Sequence, residues 1–249
     1  MARAALPRRL TWQLGRVATL RDETPLTKTI RLELDDWSGH RAGQHIDIRL
    51  TAEDGYQAER SYSIASAPED TQLALTVERL DDGEVSPYLT DELRPGDELE
   101  LRGPIGGYFV WEEASGGPLL LVGGGSGVVP LRAMLRHWAA GPRDVPVRLI
   151  YSARSLEEVI YREELTRLAE KPGLELHLTL TRQWPEDWAG HRGRIDGALL
   201  DQVAFPPAQR PLVYVCGPTA FVEAAAQALV ASGHEAGRIR TERFGPTGT

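Results

Sequence analysis

"LLLVGGGSGVVPLRAML" (residues 119–135) passes from an unbroken apolar run, through a glycine-rich turn, into a stretch with helical spacing of apolar residues. That order reads as a buried strand, a tight turn and a helix. Gly123, Gly125 and Gly127 carry no Cβ, so the backbone can turn sharply and approach a pyrophosphate, whose charge is favoured at a helix N-terminus. Gly124, Ser126 and Pro130 lie in the same segment and are candidate contacts. A glycine-rich turn can also be only a turn. The strand before it and the helix after it make this one a nucleotide-binding candidate.

Toward the C-terminus the same rhythm repeats. "VRLIYSA", "LELHLTLT" and "LVYVCGP" are compact apolar runs, and "PLRAMLRHWAA", "LEEVIYREELTRLAE" and "AFVEAAAQALVAS" are helical between them, with "RIRTERF" as a last strand. This predicts a doubly wound parallel sheet. In "LVYVCGPTAFVEAA" (212–225) Gly217 and Pro218 break the strand at its C-terminal end, where such folds place ligands, and Cys216 is the last residue before the break. A lone cysteine there is either a small buried hydrophobe or part of a site.

Toward the N-terminus the rhythm changes. "TIRLELDD", "QHIDIRL", "RSYSIAS", "LALTVERL" and "DELELRG" alternate in the manner of short strands, separated by "DDWSGHRAG", "AEDG", "LDDG" and "RPGD" as turns. Many short strands at this spacing predict a small antiparallel barrel, with "GEVSPYLTDEL" as its one short helix. The change of rhythm falls near 112–118. It divides the chain into a barrel domain (1–112) and an α/β domain (113–249), without internal repeats.

Composition bounds the chemistry. The chain has 249 residues, 41% hydrophobic and 26% charged, which is globular composition and enough for two cores. A net charge of −8 argues against general nucleic-acid or anionic-membrane binding. Cys216 is the only cysteine, so an intrachain disulfide or a multi-cysteine metal site is excluded for this chain. The N-terminus lacks the apolar run of a signal peptide and no stretch approaches a membrane span, so a cytoplasmic protein is the expectation. Lysine occurs only at Lys28 and Lys171, which makes any single arginine weak evidence.

In "RSYS" (60–63) Arg60 and Tyr62 point to one face of an extended chain and Ser61 to the other. A flavin offers a flat ring for an aromatic to stack on and a phosphate tail for arginine to hold, and both lie within reach of one strand. The alternative is a surface strand with a solvated arginine and a half-buried tyrosine.

Taken together, "RSYS" (60–63), "GEVSPYL" (83–89), "GPIGGYF" (103–109), "GGGSGVVP" (123–130), "CGP" (216–218) and "ERF" (242–244) resemble, in order and spacing, the motif set of the ferredoxin-NADP reductase family. The resemblance runs from about Thr11 to Phe244. It implies an FAD-binding Greek-key barrel followed by an NAD(P)-binding domain. It implies that Arg60 pairs with the flavin phosphates, that Tyr62 stacks on the isoalloxazine, and that Ser63 lies near the reactive flavin nitrogen. Ser61 sits within that motif. Gly83, Val85 and Ser86 match the turn that binds the FAD pyrophosphate, which favours FAD over FMN, and Val77, Glu78 and Arg79 match a strand beside the flavin. In the second domain Gly123 to Gly127 match the nucleotide pyrophosphate site, and Cys216, Gly217 and Pro218 the nicotinamide pocket. Glu242 and Phe244 match an acid that supports the active site and an aromatic that shields the flavin. For Phe244 the alternative is a core residue of the last strand. "GPTGT" after Phe244 departs from the pattern.

The resemblance also implies the activity: an FAD-dependent oxidoreductase taking hydride from NADPH or NADH, with Ser63, Cys216, Glu242 and Phe244 around the transfer site. "LIYSARSLEEV" presents Ser152 and Arg154 where an NAD-specific site would usually show an acid, and Arg182 follows the next strand, so NADPH is the expected nucleotide. Glu157 or Glu158 holding a ribose is the alternative. With neither a cysteine cluster nor the length for a fused electron carrier, the expected acceptor is separate: a ferredoxin, flavodoxin, haem protein or molybdenum enzyme. Arg3, Arg8, Arg9 and Arg16 either help to dock an acidic redox protein or form a solvated tail. Two rival readings are a flavin reductase or diaphorase with a small-molecule acceptor, and a non-enzymatic redox-sensing subunit.

Overall fold

The computed structural model describes residues 10–245, so Arg3, Arg8, Arg9 and the tail beyond Gly245 lie outside the described residues. Six antiparallel strands form the first sheet: β1 (Gln13–Thr24), β2 (Thr27–Glu33), β3 (His45–Thr51), β4 (Gln57–Ser63), β5 (Leu73–Glu78) and β6 (Glu98–Ile105). Their order is β4-β3-β6-β1-β2-β5, and a single antiparallel bridge from Ile64 to Leu75 joins the two ends into a barrel. Alternation drives the closure, because Ile30, Leu32, Ile46, Ile48, Leu73, Leu75, Leu99 and Leu101 all point inward and are fully buried.

The second sheet is wholly parallel: β7 (Leu119–Gly124), β8 (Val147–Ala153), β9 (Leu174–Leu180), β10 (His191–Arg192), β11 (Leu212–Pro218) and β12 (Ile239–Phe244), in the order β10-β9-β8-β7-β11-β12. The helices α1 (Val128–Ala140), α2 (Arg162–Ala169), α3 (Gly197–Val203) and α4 (Thr219–Ala231) accompany it. The barrel and the doubly wound sheet are the architecture expected from the sequence.

Three details differ from the sequence reading. β1, the longest strand, was not anticipated: only Gly15 and Val17 among its twelve residues are buried, so it lacks an apolar stripe, and two register shifts interrupt its pairing with β2. α3 was missed although Asp196 caps it, its side chain accepting from Leu199 N at 2.9 Å. The helix expected over "LEEVIYREELTRLAE" begins only at Arg162. Val159, Ile160 and Tyr161 leave the helical path to enter the core, with Tyr161 left-handed at φ 60°. The short helix expected in "GEVSPYLTDEL" is present, as a π-helix over Tyr88–Glu92.

The two sheets meet in a shared apolar cluster. Ala42, Ala65, Ala74, Phe109 and Trp111 of the N-terminal half pack with Val128, Leu131 and Met134 of α1 and Tyr214 of β11. Arg132 seals the join: its guanidinium is almost fully buried, donates to Ala65 O at 2.8 Å, pairs with Glu164 at 2.7 Å and lies 4.5 Å over the Tyr161 ring. The Tyr161 hydroxyl in turn donates to Thr76 of β5, and Arg136 pairs with Asp70 at 2.6 Å. Arg132→Ala, which leaves Glu164 and the Ala65 carbonyl without their shared donor, should cost about 3 kcal/mol of unfolding free energy in urea titrations. A loss under about 1 kcal/mol would show that the join does not depend on it.

Candidate active site

The order in which strands are added to the parallel sheet reverses between β7 and β11, since β8, β9 and β10 lie to one side and β12 to the other. Ligands of such sheets sit at the C-terminal strand ends beside that reversal. There Cys216 pairs with Gly123 and Glu242, and Pro218 pairs with Phe244. A Cβ on Gly127 would stand 2.1 Å from Cys216 O, so the turn can lie on β11 only with glycine at that position. Gly124 and Gly217 both pack against the Phe221 ring, and a Cβ on either would come within 3.0 Å of it. Gly125, at φ 55°, lies beside Glu78 of the barrel, whose Oε2 is 3.9 Å from the position of a Cβ, an ordinary contact distance. Ser126 is half-buried, and Pro130 is buried in the first turn of α1.

On the barrel side Arg60 and Tyr62 pair with Ile48 and Ile46, which puts both on the inward face of β4, at the end strand of the sheet. Tyr62 packs on the barrel core, and burial pushes its phenol well above the ordinary range. The Arg60 guanidinium is half exposed and reaches Glu84 at 2.5 Å; Glu84 also accepts from the Tyr56 hydroxyl at 2.8 Å, and these two bonds hold its carboxyl low. Glu84 belongs to the Gly83–Ser86 turn, in which Val85 is buried and the Ser86 hydroxyl accepts from Leu80 N at 3.1 Å. Val77 is buried, Glu78 is half-buried at the end of β5, and Arg79 pairs with Asp91 at 3.0 Å. Ser61 faces the other way, its hydroxyl donating to Asp47 at 2.6 Å, so it offers the inward face only its backbone.

Ser63 is the cross-strand partner of His45, and both share the outward face with Asp47 and Ser61. From the other sheet Glu242 Oε1 comes to 4.0 Å from His45 Nδ1, while Cys216 Sγ lies 3.9 Å from Glu242 Oε2. Burial raises Glu242 from an ordinary 4.5 to about 7. Burial and the adjacent Glu242 push the Cys216 thiol far up, so it stays protonated, and burial lowers His45. Phe244 is 37% exposed at the end of β12. The sequence reading passed over His45, although the alternation in "QHIDIRL" places it with Asp47 on the polar face. It also passed over Tyr108, exposed and donating to Ile239 O at 3.4 Å.

At the far end, Arg182 N and Gln183 N both donate to Arg154 O (2.9 and 3.0 Å), which brings two arginines from successive strand ends together. Arg154 is within 3.7 Å of Glu158, and Ser152 is buried. Arg192, missed in the sequence, lies 5.5 Å over the exposed Trp184 ring nearby.

A barrel with an aromatic and a cation on one strand end is thus set against a parallel sheet with a glycine turn. Residues 17–110 match the family model for the oxidoreductase FAD-binding domain and residues 121–227 that for the oxidoreductase NAD-binding domain. Ferredoxin–NADP reductase B of Sorangium cellulosum is 34% identical over 82% of this chain and 85% of its own. The glycine betaine monooxygenase reductase subunit of Chromohalobacter salexigens is 33% identical over 83% of this chain and 56% of its own. The solved FAD/NAD-binding domain of nitric oxide dioxygenase from Vibrio cholerae superposes with a TM-score of 0.83, at 26% identity, over 94% of this chain and 98% of that one. The chain belongs to the ferredoxin–NADP reductase family. It spans little more than half the length of the betaine monooxygenase reductase subunits it matches.

The residues fit FAD. The inward face of β4 offers an aromatic surface and a guanidinium in sequence, and the Gly83–Ser86 turn, through Glu84, lies beside that guanidinium.

Glu242 has a pH signature. Its folded pKa of about 7 lies above the ordinary 4.5, so the folded chain holds one more proton between those values. Its contribution to stability is therefore complete below the lower value and is lost as pH rises toward 7. The shift corresponds to at most about 3 kcal/mol. In urea titrations the stability of Glu242→Gln relative to wild type should rise by up to that amount between about pH 4 and about pH 8. A difference that does not change with pH would mean that the carboxyl ionises normally.

Proposed function

We propose that this protein is an FAD-dependent oxidoreductase that takes hydride from NAD(P)H, preferring NADPH, and passes electrons to a separate redox protein, with 1–112 as the FAD-binding domain and 113–249 as the NAD(P)-binding domain. The observation that carries this reading is the approach of His45, the cross-strand partner of Ser63 in the barrel, to Glu242, the register partner of Cys216 in the nucleotide sheet. When bound, FAD would supply the capacity to take up one hydride and to release its two electrons singly.

The chain's own residues bind, orient and cover. Arg60 holds the cofactor's phosphates, with backbone N–H groups of Gly83, Val85 and Ser86 completing that site, and Tyr62 supports the ring from the barrel side. Ser61, Val77, Glu78 and Arg79 line it. Gly123 to Gly127 and Pro130 receive the nucleotide pyrophosphate at the start of α1. Gly217 and Pro218 shape the nicotinamide pocket, Cys216 packs against it as a neutral thiol, Ser63 and Glu242 supply hydrogen bonds, and Phe244 shields the flavin until nicotinamide displaces it.

For the acceptor, relatives at comparable identity are named as reductase subunits or components of oxygenase systems and as a ferredoxin–NADP reductase. This supports a ferredoxin or an oxygenase component as the partner, with a flavodoxin, haem protein or molybdenum enzyme as the alternatives. Among the described residues no helix is long and apolar enough to cross a membrane, and no cluster of three or more His, Cys, Asp or Glu side chains could hold a metal.

Anaerobic addition of NADPH should bleach the flavin absorbance; an oxidised flavin in excess nucleotide would overturn the reading. Arg60→Ala should weaken FAD retention roughly tenfold to hundredfold by equilibrium dialysis, since a charged bond to phosphate is lost. Full retention would remove Arg60 from the site.

The preference for NADPH rests on the paired Arg154 and Arg182 with Ser152 beside them. A double Arg154→Ala/Arg182→Ala variant should lose roughly tenfold or more in kcat/KM for NADPH with little change for NADH. A wild type that prefers NADH would sink the assignment.

A further inference from the structure

Beside Arg132 the join opens to solvent in a cavity of about 430 Å³, lined by Arg21 and Arg31 from the barrel, Arg132 and Arg136 from α1, and Glu164 and Arg167 from α2. Five guanidiniums thus meet one carboxylate, in a chain whose net charge is −8. That carboxylate is already divided: Oε2 takes Arg132 at 2.7 Å and Oε1 faces Arg136 at 3.6 Å, while Arg136 also holds Asp70 at 2.6 Å. Arg31 and Arg167 have no hydrogen-bond or ion-pair partner among the described residues. Arg21 reaches Glu23 at 3.7 Å, and Glu23 already accepts from the Thr29 hydroxyl. Charge is moreover sorted between neighbouring cavities. An adjoining one of about 390 Å³ shares Arg21 and Glu164, but adds Asp22, Glu23, Glu157 and Glu163 against the single further cation Arg162. Arginines gathered from four elements repel one another unless an anion lies between them, and the acids that could have neutralised them line the other cavity.

We propose that the arginine-lined cavity binds an oligophosphate, a chain of two or more linked phosphates carried either free or as the tail of a nucleotide. A guanidinium presents a planar fork that matches two phosphate oxygens at once, and linked phosphates bring several negative charges on a compact chain. The cavity lies in the range of small-ligand sites, roughly 300 to 1,000 Å³, so a single chloride or phosphate leaves most of it unfilled. Arg132 supplies a pre-set end: its side chain is 6% exposed and fixed by Ala65 O and Glu164, so it loses little freedom on binding. Arg31 and Arg167 supply the unpaired donors, one from the barrel and one from the nucleotide domain. An occupant held by both ties the two halves of the chain together. None of these residues belongs to the proposed flavin or nucleotide sites.

Calorimetric titration of the purified full chain with tripolyphosphate, in about 0.15 M salt to screen loose charge attraction, tests it. Binding should weaken roughly tenfold or more in Arg31→Ala/Arg167→Ala, where two charged donors are lost, and should be unchanged in Arg154→Ala/Arg182→Ala. The single exchange Arg167→Glu, at an exposed position, should weaken it as strongly, which keeps the test independent of any fold defect in the double variant. Tripolyphosphate should also raise the melting temperature of the wild type but not of these two Arg167 variants. Titration with ATP separates the sources: tighter binding of ATP assigns a nucleotide tail, tighter binding of tripolyphosphate a free oligophosphate, and either supports the site. Absence of binding to the wild type, equal affinity in the wild type and both Arg167 variants, or citrate binding as tightly as tripolyphosphate overturns the proposal. None of these readouts involves turnover, so failure here leaves the oxidoreductase reading standing, and failure of NADPH to reduce the flavin leaves the cavity standing.

Discussion

Everything at the site depends on how closely one turn can lie on one strand. The β7–α1 turn must pass so near the end of β11 that a single methyl group at Gly127 would collide with the Cys216 carbonyl. That contact fixes the start of α1 beside the strand that carries Cys216. The parallel register then carries the alignment outward to Glu242 and Phe244 on β12. A longer side chain at Gly127 would tilt α1, and α1 also carries Arg132 into the barrel. The glycine therefore sets two distances at once: strand to turn within the nucleotide sheet, and sheet to barrel across the join.

The join is built differently from either core. Each sheet has an apolar interior, but where they meet a buried guanidinium, a tyrosine hydroxyl and two threonines are interleaved with the apolar contacts. Apolar burial is indifferent to small rotations, whereas directed bonds are not. The polar part of the join fixes orientation, and orientation decides whether Glu242 faces His45 or misses it.

Much of this was legible in the sequence because the signals are local. The glycine turn, the apolar runs flanking it and the alternation in β2, β3 and β5 report strand, turn and helix within a few residues. β1 was invisible because its partners, not its own residues, make it a strand: β2 and β6 flank it on both sides, and its exposed positions carry no pattern. The start of α2 was misplaced for the opposite reason. Val159, Ile160 and Tyr161 satisfy a helical pattern but are recruited by the core between the sheets, which no local rule describes. At the site, Arg60, Tyr62 and Ser63 announced themselves as a motif. His45 did not, because its meaning comes from residues on another sheet. The same holds for Arg192, whose neighbourhood with Trp184 depends on how β10 follows β9.

The barrel closes through one bridge, Ile64 to Leu75, between its two end strands. β4 and β5 thus run side by side at the seam with most of their facing edges free of ladder bonds, and the residues that point at the candidate site lie along those edges. Unpaired strand edges are templates for further strands, from the same chain or another copy. A planar cofactor held by Arg60 and Tyr62 would lie beside that seam and cover part of its free edge. Loss of the cofactor would then uncover a pairing edge, making the empty protein the form most prone to self-association.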